Sequence, residues 1–163
     1  YKGLDMLIEA MGKLDESYQL IIAGESYGSF QKYSDLIEKS SYKENIIVFE
    51  QYIPDDMVSI LFSAADVLVL PYRSATQSGF VALAYQMELP MVATNVGALG
   101  SAVEESRTGL VVDSATIDNL SEGIKKFFES DRLPEFKENL IKEKKRLSWN
   151  NFTRSIESFF SKL

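Results

Sequence analysis

The sequence contains no cysteine and no histidine. The first absence excludes a disulfide framework and thiolate chemistry, and the second removes the commonest protein ligand for metals and the commonest general base. A chain without cysteine is compatible with a reducing compartment inside the cell. Catalysis or ligand binding must therefore depend on carboxylates, amines, hydroxyls, amides and backbone groups, and we expect no metal centre.

Long apolar runs are also absent. No run approaches the roughly 20 residues that a membrane-spanning helix needs, and the start at Tyr1 shows no signal-peptide pattern. These features are typical of a soluble, cytoplasmic protein. The sequence begins without methionine and directly on a helical pattern, so we expect it to be a piece of a longer polypeptide.

Basic side chains are in the minority. There are 17 lysines and arginines against 24 aspartates and glutamates, which gives a net charge of -7 at pH 7. Such a chain repels polyanions, so nucleic acid is not expected as a partner, and an anionic small molecule would need a local site. With 163 residues, of which 45% are hydrophobic, the chain is long enough for one domain over 1–163 with a real core.

The chain alternates short apolar runs with amphipathic segments. Continuous apolar runs are typical of strands buried on both faces of a parallel sheet. The five predicted strands are "YQLIIAG", "NIIVFE", "DVLVLPY", "PMVAT" and "GLVVD". The pattern predicts an α/β fold of the Rossmann-like, three-layer α/β/α kind, with a mainly parallel sheet of about five strands. Residues 114–163 are predicted to form a helical tail in three pieces.

The segment "SATQSG", Ser74–Gly79, places small and polar residues between a predicted strand and a predicted helix. In an open doubly wound sheet, ligands bind beyond the carboxyl ends of the strands, where Gly24 also lies. Free N–H groups at a helix N-terminus attract an anion, and a glycine lets it approach closely. The alternative is that Ser78 only caps the helix and Gly79 only forms the turn.

Five blocks of sequence carry a family resemblance. They are "YKGLDMLIEAM", "LIIAGES", "ADVLVLPYRSATQSGF", "ELPMVATNVGALGSAVEESRTGLVV" and "LSWNNF". In this order and spacing they resemble the carboxyl-terminal, donor-binding domain of the family-four retaining glycosyltransferases, which have the two-domain GT-B arrangement. The resemblance covers nearly the whole chain. It implies a nucleotide-diphosphate sugar as donor substrate, no separate cofactor and metal-independent transfer to a surface glycan or lipid-linked acceptor. It also implies an N-terminal domain, absent here, that holds the acceptor.

The resemblance assigns site residues by position. It implies that Lys2 reaches the donor diphosphate, that Ser78–Phe80 form the phosphate-binding loop, and that the nucleobase lies near Tyr52 and Ile53. Thr94–Gly97 are expected to form the other wall of the cleft. Two alternatives stay open, because Lys2 fits a solvated residue at a helix start and Tyr52 fits core packing.

One departure from the family concerns catalysis. Many members carry two glutamates eight residues apart, one near the donor sugar and one on the ribose, and these places fall on Ala75 and Leu83. Neither side chain accepts a hydrogen bond, so the catalytic residues are unknown. Thr76 and Gln77 are predicted to supply neutral hydrogen bonds instead. Three other carboxylates are predicted to be solvated or capping: Glu25, Glu104 and Glu105.

The first strand of the sheet is expected to precede Tyr1. In a 3-2-1-4-5-6 strand order, that strand is central and pairs with the fourth. Without it, either "LIIAG" and "LVLPY" pair directly or the sheet has a hole.

The tail from Asp131 to Leu163 carries eight basic against five acidic residues. The basic residues are Arg132, Lys137, Lys142, Lys144, Lys145, Arg146, Arg154 and Lys162. They suggest peripheral contact with anionic lipid at the inner face of the membrane, or alternatively a solvated face. An apolar stripe is predicted to pack onto the domain, with some members meeting the first domain: Trp149, Phe152, Ile156, Phe159 and Phe160.

Two other classes of protein fit a Rossmann-like domain. A sugar-nucleotide epimerase of similar architecture would need acid and base carboxylates or histidine, which the expected positions lack. A stand-alone flavodoxin-like binding module would carry an acidic cluster at the strand ends, where this chain has Gly24, Ser78 and Gly79.

Overall fold

The computed structural model describes residues 1–161, apart from the side chains of Glu105 and Ser106. Its strands are β1 (Leu20–Ala23), β2 (Ile46–Phe49), β3 (Leu68–Leu70), β4 (Met91–Thr94) and β5 (Gly109–Val112). Its α-helices are α1 (Leu4–Met11), α2 (Gln31–Lys39), α3 (Asp55–Ala64), α4 (Gly79–Met87), α5 (Gly97–Ser106), α6 (Ile117–Glu129), α7 (Leu133–Arg146) and α8 (Trp149–Phe160). A single 3-10 turn at Lys43–Asn45 leads into β2. The predicted α/β class and the five predicted strands are confirmed.

The strands pair in parallel but form two sheets. β1 pairs with β2, and β3, β4 and β5 form a three-stranded sheet in that order. Leu20 lies opposite Ile46 in the first sheet, and Met91 lies between Leu68 and Gly109 in the second. Among the described strands β1 and β3 do not pair, so the arrangement has the hole that was one of the two alternatives. The two sheets stay separate because no described strand lies between the edges of β1 and β3 to form hydrogen bonds with both.

The first of two apolar cores lies under α1, α2 and α6. Helix α6 has Leu120, Ile124 and Phe127 on one face, at the spacing that lines up side chains along a helix. These side chains cluster with Leu7 and Met11 of α1. Thus the first helix of the chain and the sixth close the same face of the sheets.

The second core lies on the opposite face, under α4, α5 and α7. Strand β4 separates the two cores, because successive side chains of a strand point to opposite faces. Val92 belongs to the first core, and Met91 and Ala93 belong to the second. All four residues of β4 have 0% exposure. This strand therefore has both the ladder partners and the two helical layers that a buried parallel strand requires.

The tail forms three helices, α6 to α8, as predicted. The expected packing of the apolar stripe is wrong, because α8 contributes no buried residue and Trp149 is 79% exposed. A helical stripe identifies an apolar face, but no described element covers this one. Several basic residues of the tail form ion pairs, with Lys144 on Glu88 at 2.6 Å and Arg146 on Glu143 at 2.6 Å.

Among helices within residues 1–161, none combines the length and apolar character needed to cross a membrane. Lys162 lies outside the described residues.

Candidate functional site

The N-terminus of α4 follows directly on the polar loop after β3. Ser78 is the N-cap, and its Oγ accepts a hydrogen bond from the Phe80 N–H at 3.3 Å and shares another with the Tyr72 hydroxyl at 3.2 Å. The Val81 N–H donates to the Ser78 carbonyl at 3.1 Å. The capping role of Ser78 is therefore real. None of these bonds uses the N–H of Gly79, so the cap leaves that donor of the helix end for another acceptor.

Gly79 faces open space. A Cβ built on this residue would meet no atom within 4 Å, and its φ is not in the left-handed region. Neither packing nor backbone conformation requires glycine here. What the glycine provides is an approachable backbone at the positive end of a helix dipole.

Lys2 lies at the same place. A pocket of about 310 Å³ holds it together with the start of α4, and we call this the Lys2 pocket. The Lys2 Nζ is 5.0 Å from the ring centroid of Phe80, 5.6 Å from that of Tyr72 and 6.0 Å from that of Tyr1. These are cation–π distances. The pocket is lined by Tyr1, Lys2, Tyr72, Gln77, Ser78, Gly79, Phe80 and Leu83.

Two close contacts fix the segment that carries Lys2. The Arg73 N–H donates to the Tyr1 carbonyl at 2.8 Å. Gly3 has a φ of 69° and lies against Pro71, whose carbonyl oxygen would be 2.0 Å from a Cβ at that position. Only glycine allows both the left-handed backbone and this approach. Residues on both sides of Lys2 are thus held against the carboxyl end of β3.

A charged cluster supports the same junction. The Asp5 carboxylate of α1 accepts hydrogen bonds from Arg73 at 2.6 Å and from Lys32 at 2.9 Å. The Arg73 guanidinium holds the pKa of Asp5 well below its usual range, against the opposing effect of burial. Sequence reasoning missed this cluster, because its three members are far apart along the chain. The only local signal was an acidic residue in the first turn of α1.

Thr94 and Gly97 contact the loop that precedes α4, and they are not among the residues that line the Lys2 pocket. Thr94 is buried, and its hydroxyl donates to the Tyr72 carbonyl at 2.6 Å. Gly97 has a φ of 51°, and a Cβ there would lie 1.8 Å from the Ala75 carbonyl oxygen. The Ala98 N–H reaches the Thr76 carbonyl at 3.3 Å. These residues shape the loop before α4 by supporting its backbone.

A larger cleft of about 780 Å³ opens between β1 and β3, and we call it the interstrand cleft. Gly24, Tyr52 and Ile53 line its carboxyl end. Tyr52 is 69% exposed, so it does not serve as a core residue. Phe80 and Leu83 line both the interstrand cleft and the Lys2 pocket. The residues expected near a nucleobase and those expected near a diphosphate therefore border adjoining cavities.

Leu83 and Ala75, where the resemblance would place two glutamates, differ in their surroundings. Leu83 lines both cavities with an apolar side chain, whereas Ala75 is half-buried in the second core. Gln77 lines the Lys2 pocket, and Thr76 is exposed beside it. Glu25 and Glu104 are exposed, and the side chain of Glu105 lies outside the described residues. Within the described part of the chain, no three acidic side chains come together as metal ligands would.

Comparison with known proteins decides the family, since the sequence profile described as "Glycosyl transferases group 1" matches residues 1–147. The chain belongs to the group 1 glycosyl transferases. Membership in this family decides against the flavodoxin-like and epimerase alternatives.

Individual relatives of this glycosyl transferase chain agree with the family. It is 29% identical over 174 residues to the D-inositol 3-phosphate glycosyltransferase of Corynebacterium urealyticum, covering 99% of the chain and 40% of that relative. WaaG, a glycosyltransferase involved in lipopolysaccharide biosynthesis, is 28% identical with a TM-score of 0.72, over 88% of this chain and 39% of WaaG. The Anabaena protein HepE, solved in complex with UDP, shares the fold at 15% identity with a TM-score of 0.79, over 100% of this chain and 46% of HepE. The chain thus spans less than half the length of these relatives.

Proposed function

We propose that this chain is the donor-binding part of a retaining glycosyltransferase and that it holds a nucleotide-diphosphate sugar. The diphosphate occupies the Lys2 pocket, and the base lies at the carboxyl end of the interstrand cleft beside Tyr52 and Ile53. One observation carries the proposal. Lys2 and the N-terminus of α4 come from distant parts of the chain and line the same pocket.

The chemistry follows from where charge develops. When the bond between sugar and diphosphate breaks, negative charge grows on the departing phosphate oxygens. The Lys2 ammonium and the N–H of Gly79 are fixed donors next to that position, and preorganised donors of this kind are a major source of transition-state stabilisation. These two groups supply the positive charge that a metal ion would otherwise provide.

The donor sugar is held by a neutral side chain rather than by a carboxylate. Because Ala75 and Leu83 offer no carboxylate, Gln77 hydrogen-bonds the sugar as a neutral group from the wall of the Lys2 pocket. The acceptor, a surface glycan or lipid-linked sugar, binds mainly to the N-terminal part of a longer polypeptide. That the relatives are more than twice as long as this chain supports this division of labour. Location on the inner face of the membrane stays a prediction of the sequence.

Calorimetric titration tests the donor site. UDP, GDP and ADP are added to the chain, with uridine and inorganic phosphate as partial ligands. We expect at least one nucleoside diphosphate to bind more tightly than either partial ligand. Binding of uridine as tight as that of UDP would contradict a diphosphate site at Lys2.

Gln77→Ala tests sugar recognition in the longer polypeptide. Transfer should fall more than UDP affinity does, because the side chain contacts the sugar rather than the diphosphate. Equal losses would mean that Gln77 only shapes the loop. The chain 1–163 by itself should transfer no sugar, because holding donor and acceptor together supplies up to roughly 7 to 11 kcal/mol of catalysis.

A further inference from the structure

One face of α4 lies between the Lys2 pocket and the interstrand cleft. Among residues 1–161, Phe80 and Leu83 are the only two that line both cavities. They are three positions apart on the helix, so they lie on the same face of it. We call the boundary that these two residues form the Phe80–Leu83 passage. A ligand that extends from one cavity into the other must lie along it.

The Phe80–Leu83 passage is apolar. A phenyl ring and an isobutyl group neither donate nor accept ordinary hydrogen bonds. The backbone N–H groups of the two residues are also engaged. The Phe80 N–H donates to the Ser78 Oγ at 3.3 Å, and Leu83 lies far enough inside α4 for its N–H to bond to the Gly79 carbonyl of the preceding turn. The two residues therefore offer a ligand no hydrogen-bonding side chain and no free N–H.

Leu83 is not a core residue of α4. It is half-buried, and it is not among the residues of either apolar core. The buried residues of α4 are Val81, Ala84 and Tyr85, and all three belong to the second core. The apolar side chain at position 83 thus contributes to the two cavities rather than to the interior of the domain.

The carboxylates that line the cavities do not border the Phe80–Leu83 passage on both sides. Among the described residues, the lining of the Lys2 pocket includes no acidic side chain, and that of the interstrand cleft includes Glu25 and Asp66. Asp66 precedes β3 and so lies at the amino end of that strand, whereas Tyr52 lines the carboxyl end of the cleft. Glu25 follows β1 and is exposed. Glu25 is therefore the one acidic side chain of these linings that competes with Leu83 for a role at the carboxyl end.

We propose that Leu83 is a specificity-determining residue that opens the donor site to 2′-deoxynucleoside diphosphate sugars, such as those of thymidine diphosphate. This inference rests on the proposed function, which places the diphosphate in the Lys2 pocket and the base beside Tyr52. The ribose joins these two parts of the nucleotide, so it lies along the Phe80–Leu83 passage. A 2′-hydroxyl there loses bonds to water and gains none from the passage, whereas the 2′-methylene of a deoxyribose packs on the leucine.

The passage therefore does not select for the 2′-hydroxyl. A site built to hydrogen-bond a hydroxyl strongly rejects the analogue that lacks it, whereas an apolar site distinguishes the two only weakly. Ribonucleoside diphosphates still bind, because the diphosphate and the base keep their own contacts. Their 2′-deoxy counterparts bind at least as well.

Calorimetric titration of the full chain with matched pairs of nucleotides tests the role of Leu83. The pairs are UDP and 2′-deoxy-UDP, GDP and 2′-deoxy-GDP, and ADP and 2′-deoxy-ADP, and the members of each pair differ only in the 2′-hydroxyl. The pair that binds best is used for the comparison. We expect the Kd of its deoxy member to be no more than about threefold above that of its ribo member.

Substitutions at position 83 should create a preference for ribose. A carboxylate accepts a hydrogen bond from the 2′-hydroxyl, so Leu83→Glu should bind the ribo member about 10- to 150-fold more tightly than the deoxy member. Leu83→Gln carries no charge and should show a preference of about 2- to 10-fold. Leu83→Met is the matched control, because it keeps the volume and the apolar character and should keep the ratio of the parent. Each ratio is taken within one protein, so a general loss of affinity caused by the added glutamate cancels.

Thermal unfolding verifies that each variant is folded, and Leu83→Gln carries the test if Leu83→Glu does not fold. A ribo member that binds the parent more than about threefold more tightly than its deoxy partner would overturn the proposal. If Glu25→Gln then removed that preference, Glu25 would be the residue that holds the ribose. Unchanged ratios in the folded glutamate and glutamine variants would also overturn it, because the ribose would not lie along Leu83. If none of the nucleotides bound, the proposed donor site itself would fail, which is distinct from any shift in the ratio.

Discussion

Replacing Gly79 with valine should weaken binding of a nucleoside diphosphate without lowering the stability of the fold. A Cβ at this position meets no protein atom within 4 Å, and the backbone has an ordinary φ. Because Gly79 lines the Lys2 pocket, we expect the added side chain to extend into it, and its Cβ displaces no described group. We expect the melting temperature to change little, and Gly79→Ala should be stabilising by up to about 1 kcal/mol, because alanine restricts the unfolded chain.

Binding of a nucleoside diphosphate should respond very differently. The branched side chain prevents a phosphate from approaching the N–H groups at the start of α4. A hydrogen bond to a charged group is worth about 1.5 to 3 kcal/mol, so losing one weakens binding about 10- to 150-fold. Gly79→Ala, with a single methyl group, should fall between the parent and Gly79→Val. The order of the three diphosphate affinities, from the parent through Gly79→Ala to Gly79→Val, tests the site as directly as their magnitudes do.

Calorimetric titration with UDP or the diphosphate that binds best, together with thermal unfolding, measures both quantities. Ser158→Val is the matched control, because it adds branched bulk at an exposed position on α8. A folded Gly79→Val variant that binds the diphosphate as tightly as the parent would contradict a phosphate site at the start of α4. In that case the ligand lies elsewhere and the glycine is only a turn residue.

Three further predictions concern the surroundings of the pocket. Lys2→Met keeps the aliphatic stem but removes the charge, so diphosphate affinity should fall about 10- to 150-fold with the fold intact, as calorimetry would show. Gly97→Ala forces a Cβ to 1.8 Å from the Ala75 carbonyl at a φ of 51°, so urea unfolding should show a loss of about 1 to 3 kcal/mol. Asp5→Asn should lose about 1 kcal/mol of stability at pH 7, because the partly exposed ion pairs of Asp5 with Arg73 and Lys32 disappear. The pKa of Asp5 is lowered by folding, so its stabilising contribution is complete above the unfolded pKa and declines as the pH falls below about 4.

Each of these predictions has its own control. Lys39→Met removes an exposed charge from the end of α2 and should leave diphosphate binding unchanged. Gly79→Ala is the matched control for Gly97→Ala, because its Cβ has open space. A difference in stability between Asp5→Asn and the parent that stays constant down to pH 2 would contradict the role of the Asp5 charge. If Lys2→Met bound the diphosphate as tightly as the parent, the Lys2 ammonium would not be part of the diphosphate site.

The sequence was sufficient to predict the features that depend on interactions between residues close together in the chain. β4 and the start of α4 could be located from an apolar run and from a serine before a glycine, because strand period and capping act within a few residues. The Asp5–Arg73 ion pair could not, since it joins residues far apart along the chain. The exposure of the apolar stripe on α8 could not be predicted from the sequence either. Periodicity reveals an apolar face but carries no information on which surface covers it.

The division of the strands into two sheets was predictable only as one of two alternatives. Apolar runs mark β1 and β3 as buried strands, yet their neighbours depend on the whole topology. The wall expected at Thr94–Gly97 shows the same limit. The sequence does not reveal that Thr94 donates a hydrogen bond to the Tyr72 carbonyl and so supports the loop, and a ligand contact by this segment stays a prediction.

The first core joins the beginning of the chain to its last third, which affects how the protein is made. Helix α1 ends at Met11, whereas its partner α6 ends at Glu129. A ribosome adds about 5 to 20 residues per second, so roughly 6 to 24 s pass between the synthesis of the two helices. During that interval the part of the apolar face of α1 that α6 covers in the finished fold stays exposed and available to chaperones. Slower elongation lengthens this exposure, so the yield of folded chain should depend on translation speed even when the finished molecule is stable.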